Sequence, residues 1–257
     1  MNGPISRSSL AGKVALVTGG GRGIGKAISE VLAADGVRVA VLDIKPAFAD
    51  DAAASIRQAG GEVVAMTGDV SKRQTFIDAI SALEEKYGRF DILVNNAIWA
   101  RYGAIADITP EMLDRMVGSG FNSIVWGTQA AAPAMTRSGG GSIINIASVA
   151  GYLGLPNAMV YCGVKAGVLG LTRAAATDLG QHGIRVNAIA PGTVPTEGAS
   201  INADHEKMQT RVARTPLRRL GTVQDIAAAA RFLASDDSAY MSGDAMLIDG
   251  GITHAFL

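Results

Sequence analysis

A single cysteine, Cys162, among 257 residues excludes an intrachain disulfide. Set beside Tyr161, it reads as a small packed residue rather than a nucleophile. Neither sign of charge is in excess, with 23 Lys and Arg against 23 Asp and Glu. No basic stripe can track a nucleic-acid backbone, so nucleic acid is not expected as a partner. Aromatic residues are scarce, and 32 glycines suit tight turns and helices packed closely on a sheet. No apolar run reaches the roughly 20 residues that a spanning helix needs, so no membrane partner is expected. Residues 1–10 lack the charged-then-apolar pattern of a signal peptide, and the simplest expectation is a cytoplasmic protein. No Pro/Ser-rich linker, charge block or internal repeat divides the chain. One domain over 1–257 is expected, with 1–10 a flexible segment and 193–215 a substrate-loop region. No metal site is expected.

What is present is an alternation. Short Val- and Ile-rich runs at 13–18, 37–43, 62–67, 92–95, 142–147, 184–190 and 245–249 predict strands. Their continuous apolarity marks strands covered on both faces. Ala-rich stretches predict helices over 24–34, 47–59, 71–86, 110–136, 158–179 and 223–234. Ser71, Thr109 and Thr222 read as N-caps, and Gly36, Gly60, Gly88 and Gly183 as helix ends. This pattern predicts an α/β fold, a doubly wound, Rossmann-like parallel sheet of about seven strands with helices on both faces. Ligands of such sheets bind beyond the carboxyl ends of the strands, and six loops carrying chemically informative residues fall there.

The first of these loops reads Thr18-Gly19-Gly20-Gly21-Arg22-Gly23-Ile24-Gly25 and joins a strand to a helix. A pyrophosphate needs backbone N–H groups at close range, and a helix N-terminus offers them with a favourable dipole. Side chains at Gly19, Gly23 and Gly25 would block that approach. Asp43 closes the second strand, eighteen residues after Gly25, where a carboxylate can accept hydrogen bonds from adenosine ribose hydroxyls. Its charge would repel a 2′-phosphate, and Ile44, not Arg, follows it. NAD is therefore the expected cofactor; Lys45 and Arg22 can offset the repulsion and keep NADP as the alternative. Asp69 and Val70 are expected at the adenine edge.

Tyr161 and Lys165 stand four apart and share a helix face, with Ser148 thirteen residues upstream on a separate loop. A free phenol titrates near pH 10 and is a poor base at neutral pH, so it has to be brought about two units closer to the working pH. An adjacent ammonium favours the phenolate, and the roughly 2.7 kcal/mol required is within reach of one close charge helped by an oxidised nicotinamide. Lys165 can also hold ribose hydroxyls, and Ser148 can hold a substrate oxygen. A proton-moving group beside a hydride-carrying dinucleotide describes an alcohol–carbonyl oxidoreductase. An ordinary surface Tyr–Lys pair is the alternative, disfavoured by its coincidence with Ser148 and the glycine turn.

On these segments, from about residue 10 to 251, the chain resembles the short-chain dehydrogenase/reductase family. Further matching segments are Asn95-Asn96-Ala97, the stretch from Arg185 to Pro191 and Gly192, the stretch from Pro216 to Gly221, and Asp249-Gly250-Gly251. The resemblance implies that Tyr161 is the general acid/base. It further implies that Lys165 lowers the phenol's pKa and binds the nicotinamide ribose, that Ser148 orients substrate, and that Asn122 completes a proton relay. Cofactor contacts implied are Gly19, Arg22, Gly23, Ile24, Gly25, Asp43, Ile44, Asp69, Val70, Asn96, Ala97, Tyr161, Lys165, Pro191 and Gly192. Val194 and Thr196 fall where the nicotinamide carboxamide is held. Two positions depart from the pattern. Ile98 stands where glycine is usual, and is expected to face the cofactor's neighbourhood and tighten the pocket. Glu197 stands where an apolar residue is commoner, facing either the substrate entrance or solvent.

Ile98, Trp99, Tyr102, Tyr152 and Leu153, with Met208, are expected to wall a substrate pocket. Trp99 beside Arg101 offers a flat wall with a guanidinium, although a loop packed on itself reads equally well. Arg211, Arg214, Arg218 and Arg219 are either a solvated stretch or a flap over an anionic group. The small-molecule partner expected is a secondary alcohol or its ketone, cyclic, sugar-like or aromatic. The alternatives are an NADP-linked 3-oxoacyl-type ketoreductase and, in another class, a non-catalytic dinucleotide-binding regulator. The family resemblance implies a homodimer or homotetramer paired through the helices at 110–136 and 158–179, and Phe256 and Leu257 are expected to pack across a subunit boundary.

Overall fold

The structure is a computed structural model that describes residues 10–196 and 205–255. Seven parallel strands form one sheet: β1 Val14–Thr18, β2 Arg38–Asp43, β3 Val63–Thr67, β4 Ile92–Asn95, β5 Gly141–Ile146, β6 Ile184–Pro191 and β7 Ala245–Ile248. Their order is β3-β2-β1-β4-β5-β6-β7, so the winding reverses between β1 and β4. The helices are α1 Gly23–Ala34, α2 Pro46–Gln58, α3 Arg73–Tyr87, α4 Pro110–Val117, α5 Ser123–Arg137, α6 Met159–Leu179, α7 His205–Arg214 and α8 Val223–Ala234.

Alternate residues of each strand enter opposite cores, and both are apolar. Ala15, Val17, Val39, Val41, Ile92 and Val94 pack with Ile28 and Leu32 of α1, Ile56 of α2, and Ile226 and Leu233 of α8. Val14, Leu16, Ala40, Leu42 and Leu93 pack on the other face with Phe76 and Leu83 of α3 and Met135 of α5. This is why the strands read as unbroken apolar runs. Burying one such leucine contributes about 2 kcal/mol. The helices come close where side chains are small: a Cβ on Gly127 of α5 would lie 2.9 Å from the Phe76 ring and 2.6 Å from Asn95 Oδ1. Among the described residues, no helix is long and apolar enough to cross a membrane.

Several expectations are corrected. Leu10 is buried in the first core, and the chain is anchored there by Lys13 N–H donating to Leu10 O at 3.1 Å, so this residue is no part of a flexible arm. Helix α3 begins at Arg73 rather than at Ser71, because Asp69 Oδ1 accepts the Ser71 N–H at 2.9 Å and turns the chain first. The stretch 110–136 is not one α-helix. A π-helical turn, Gly118–Asn122, separates α4 from α5. The region 193–215, expected as loop, contains α7. Glu197, Phe256 and Leu257 lie outside the described residues.

Candidate functional site

The glycine turn leaves β1 and enters α1 without a side-chain cap or an acidic residue in the first turn, so no capping side chain meets the first N–H groups of α1. Gly19 and Gly23 have positive φ, 59° and 55°. A Cβ on Gly25 would stand 2.1 Å from Gly19 O. Asn96 braces the turn: its Nδ2 donates to Thr18 O at 2.9 Å and to Gly19 O at 3.1 Å, and the Asn96 and Ala97 N–H groups both donate to Thr18 Oγ1. The chain after β6 returns to the same place. Pro191 is buried, Gly192 N–H donates to Ile248 O at 3.0 Å, Val194 packs on the first core, and Thr196 borders Gly23. A backbone cradle that any Cβ would fill, at a bare helix N-terminus, fits a dinucleotide pyrophosphate.

Asp43 ends β2 with its carboxylate accepting from Gly21 N–H at 3.3 Å and Lys45 N–H at 3.1 Å. The two nearby cations are engaged by an aromatic ring: Arg22 and Lys45 lie 4.6 and 5.1 Å from the centroid of Phe48. Ile44 is exposed and Val70 buried, while Asp69 is spent on its own turn. Ile24 packs inward against the first core.

Ser148 follows β5 and accepts from Ala150 N–H at 3.1 Å, which starts a short helical turn Val149–Gly151. That turn carries Tyr152, exposed, and Leu153, whose carbonyl accepts the Cys162 thiol at 3.7 Å. The thiol is thus packed, as expected. Tyr161 lies in the first turn of α6, within hydrogen-bonding reach of the Ser148 and Tyr102 hydroxyls. Lys165, one turn on, is buried; its Nζ donates to Ile146 O at 2.6 Å and lies 5.8 Å from the Tyr161 ring centroid. Asn122 is the last residue of the π turn, a kind of irregularity that recurs at functional sites.

The electrostatics differ from the simple expectation. Burial pushes the Tyr161 phenol up, while hydrogen bonds from Ser148 and Tyr102 pull it down. Burial also pushes the Lys165 ammonium down, to about 8. Burial thus penalises the charged form of both groups.

The substrate wall is partly rearranged. Ile98 packs inward with Met112, Met116 and Val164 behind Tyr161, with its Cδ1 2.8 Å from where a Cβ of Gly120 would stand. It fills the wall of the π turn instead of projecting onto the cofactor cradle. Trp99 is paired with Arg115 of α4, 4.4 Å above its ring, and not with Arg101, which is exposed. Arg219 is held by Asp225 at 2.7 Å and Arg218 by Ala213 O, so neither is free to act as a flap. Arg211 of α7 stays on the site's side, where its charge bears on Tyr102, and its NH1 lies 4.0 Å from Met208 Sδ.

Comparison with known proteins gives a consistent result. Residues 19–253 match a family described as enoyl-(acyl carrier protein) reductase. An uncharacterised oxidoreductase of Thermotoga maritima is 39% identical over 251 residues, covering 95% of this chain and 99% of the relative. An L-rhamnose 1-dehydrogenase (NAD(P)(+)) of a Sphingomonas species is 39% identical over 252 residues, covering 95% and 97%. The crystal structure of a Sinorhizobium meliloti protein, provisionally assigned as a short-chain alcohol dehydrogenase, superposes with a TM-score of 0.90 at 36% identity over 96% of this chain and 98% of that one.

Proposed function

The chain belongs to the short-chain dehydrogenase/reductase family of NAD(P)-dependent oxidoreductases acting on CH–OH groups, and on that premise we propose that it is an NAD-dependent secondary-alcohol dehydrogenase in which Tyr161 is the general acid/base. The observation that carries this reading is the meeting of the Tyr161 and Ser148 hydroxyls above the buried Lys165, on the rim that holds the bare glycine turn. The bound nicotinamide supplies the hydride acceptor in the oxidised form and the donor in the reduced form. Ser148 holds the substrate oxygen, and Tyr161 Oη takes its proton during oxidation and returns it during reduction. Lys165 and Thr196 hold the nicotinamide end, the glycine turn the pyrophosphate, and Asp43 the adenosine ribose. Asn122, at the π turn, relays the proton onward.

Preference for NAD follows from Asp43, whose carboxylate would meet a 2′-phosphate, while Arg22 and Lys45 are drawn onto Phe48. The Sphingomonas relative is named for both cofactors, and the matching family is named for an acyl-carrier substrate; both keep an NADP-linked ketoreductase as the second reading. Open space over Gly163 and Gly170 of α6 leaves room for another helix and supports assembly as a homodimer or homotetramer.

The test is a screen of secondary, cyclic and polyhydroxy alcohols with each cofactor, followed by Tyr161→Phe. We expect turnover to fall about 10²–10⁴-fold while reduced-nicotinamide binding, read by fluorescence, stays within about twofold. Near-native turnover in that variant refutes the acid/base assignment, and a strong NADP preference in the screen selects the second reading.

A further inference from the structure

One hydroxyl beside the reacting phenol, that of Tyr102, takes no part in the proton transfer between substrate and Tyr161. Tyr102 meets Tyr161 edge-on, with ring centroids 5.4 Å apart and planes at 68°. The segment that carries it is tied down on both sides. Trp99 N–H donates to Ser119 Oγ at 3.0 Å, and Ser119 Oγ donates to Arg115 O at 2.8 Å. Gly103 N–H donates to Asn157 O at 2.8 Å. Asn157 has a φ of 59°, a left-handed value uncommon outside glycine. It lies four residues before Tyr161, in the turn that launches α6. One turn thus aims Tyr161 and holds the strand-end segment bearing Tyr102 against it.

We propose that Tyr102 is a positioning residue for the proton-transfer step: its hydroxyl donates to Tyr161 Oη and steadies the phenolate that receives an alcohol's proton. The inference rests on Tyr161 being the acid/base. The donor direction is set by the surroundings. Burial and the neighbouring Tyr161 charge push the Tyr102 phenol well up, so it keeps its proton while Tyr161 ionises. The groups that face the pair are few. Lys165 and Cys162 lie on α6, and Cys162 pushes both phenols up. Arg211 on α7 pulls Tyr102 down without overcoming burial, and Ser148 after β5 pulls Tyr161 down. Burial weakens the Lys165 ammonium, so the two hydroxyl donors add to the stabilisation of the phenolate that it provides.

Tyr102→Phe keeps the ring and the edge-on contact and removes only the donor. In the full chain with NAD and the alcohol of highest rate in the screen, the acid limb of the kcat/KM profile should move up by about one pH unit. That corresponds to about a tenfold loss at neutral pH, recovered at high pH, with binding of reduced nicotinamide unchanged. A coincident profile, or a loss equal at every pH, overturns the proposal. Should no alcohol turn over, the ultraviolet tyrosinate titration decides. The difference between wild type and Tyr161→Phe isolates one phenol, and repeating it in the Tyr102→Phe background should give a higher midpoint; an unmoved midpoint overturns the proposal. Normal turnover in Tyr161→Phe removes the underlying reading, whereas an inactive Tyr161→Phe with an unmoved limb in Tyr102→Phe removes only this inference.

Discussion

At the amino ends of the strands, charge is met by the chain itself. Asp91 is buried and accepts from Val14 N–H at 2.8 Å and from Arg89 at 2.9 and 2.6 Å. Arg185 spreads its guanidinium over Ser238 Oγ, Leu233 O and Ser235 O, which closes the end of α8. Lys13 reaches Asp236 at 3.5 Å. A cavity of about 220 Å³ lies among these groups. At the carboxyl ends the opposite holds. The Lys165 ammonium has a carbonyl and no carboxylate, buried Asn95 Oδ1 has no hydrogen-bond partner, and α1 starts uncapped. Its neighbour α8 shows what a finished N-terminus looks like, with Thr222 and Asp225 forming a reciprocal capping box. Room and polarity occur at both ends, and each has a buried atom without a partner, the Tyr87 hydroxyl near Arg38 at the amino ends and Asn95 Oδ1 at the carboxyl ends; the uncapped helix start and the ammonium without a carboxylate stand at the carboxyl ends, and they mark where a ligand belongs.

The sharpest way to break this contrast is to fill the cradle. With a Cβ 2.1 Å from Gly19 O and 2.6 Å from Asn96 Nδ2, Gly25→Val must displace the turn backbone. Binding of reduced nicotinamide dinucleotide, titrated by fluorescence, should weaken about a hundredfold or more, roughly 2.7 kcal/mol, with turnover lost alongside. Native affinity in this variant would put the dinucleotide elsewhere. At the other end, Asp91→Ala strands the Val14 N–H and frees Arg89. We expect a cost of about 2–3 kcal/mol in urea denaturation, with kcat of the folded protein unaltered. A kcat loss without a stability loss would erase the distinction between the ends.

How far these features were legible in the sequence depends on whether their cause is local. Strands buried on both faces leave unbroken Val/Ile runs, so 92–95 coincides with β4, and the other strand limits differ by one residue at most. The glycine turn and the Thr222 cap announce themselves because each needs particular residues at fixed offsets. The π turn does not, since it depends on Ile98 packing on Gly120 from a distant segment. Helix α7 is short and carries only Met208, Val212 and Ala213 as apolar anchors, too little pattern to announce a helix. Four-residue spacing puts Tyr161 and Lys165 on one face, but it cannot reveal that Ile146 O takes the ammonium or that burial penalises the charged form of both. Likewise the partner of Trp99, Arg115, is a tertiary neighbour that adjacency in sequence, which offers only Arg101, does not reveal.

The smallest of the three effects tests the idea that the carboxyl end gives up stability for function. In the folded chain Lys165 titrates near 8 against an ordinary 10.5, a difference worth about 3 kcal/mol. Below pH 8 the folded state carries the buried ammonium and its full penalty. Between pH 8 and 10.5 the unfolded chain still holds a proton that the folded chain has released, so this contribution to stability improves as pH rises. Lys165→Met fills the same space without the charge and loses the bond to Ile146 O, worth about 1 kcal/mol. The variant should therefore be more stable than wild type by about 2 kcal/mol at pH 7, and the advantage should shrink when denaturation is repeated at pH 9, while turnover falls at both. A variant less stable than wild type by the same amount at both pH values would mean that the ammonium is compensated after all, and that the two ends of the sheet treat charge alike.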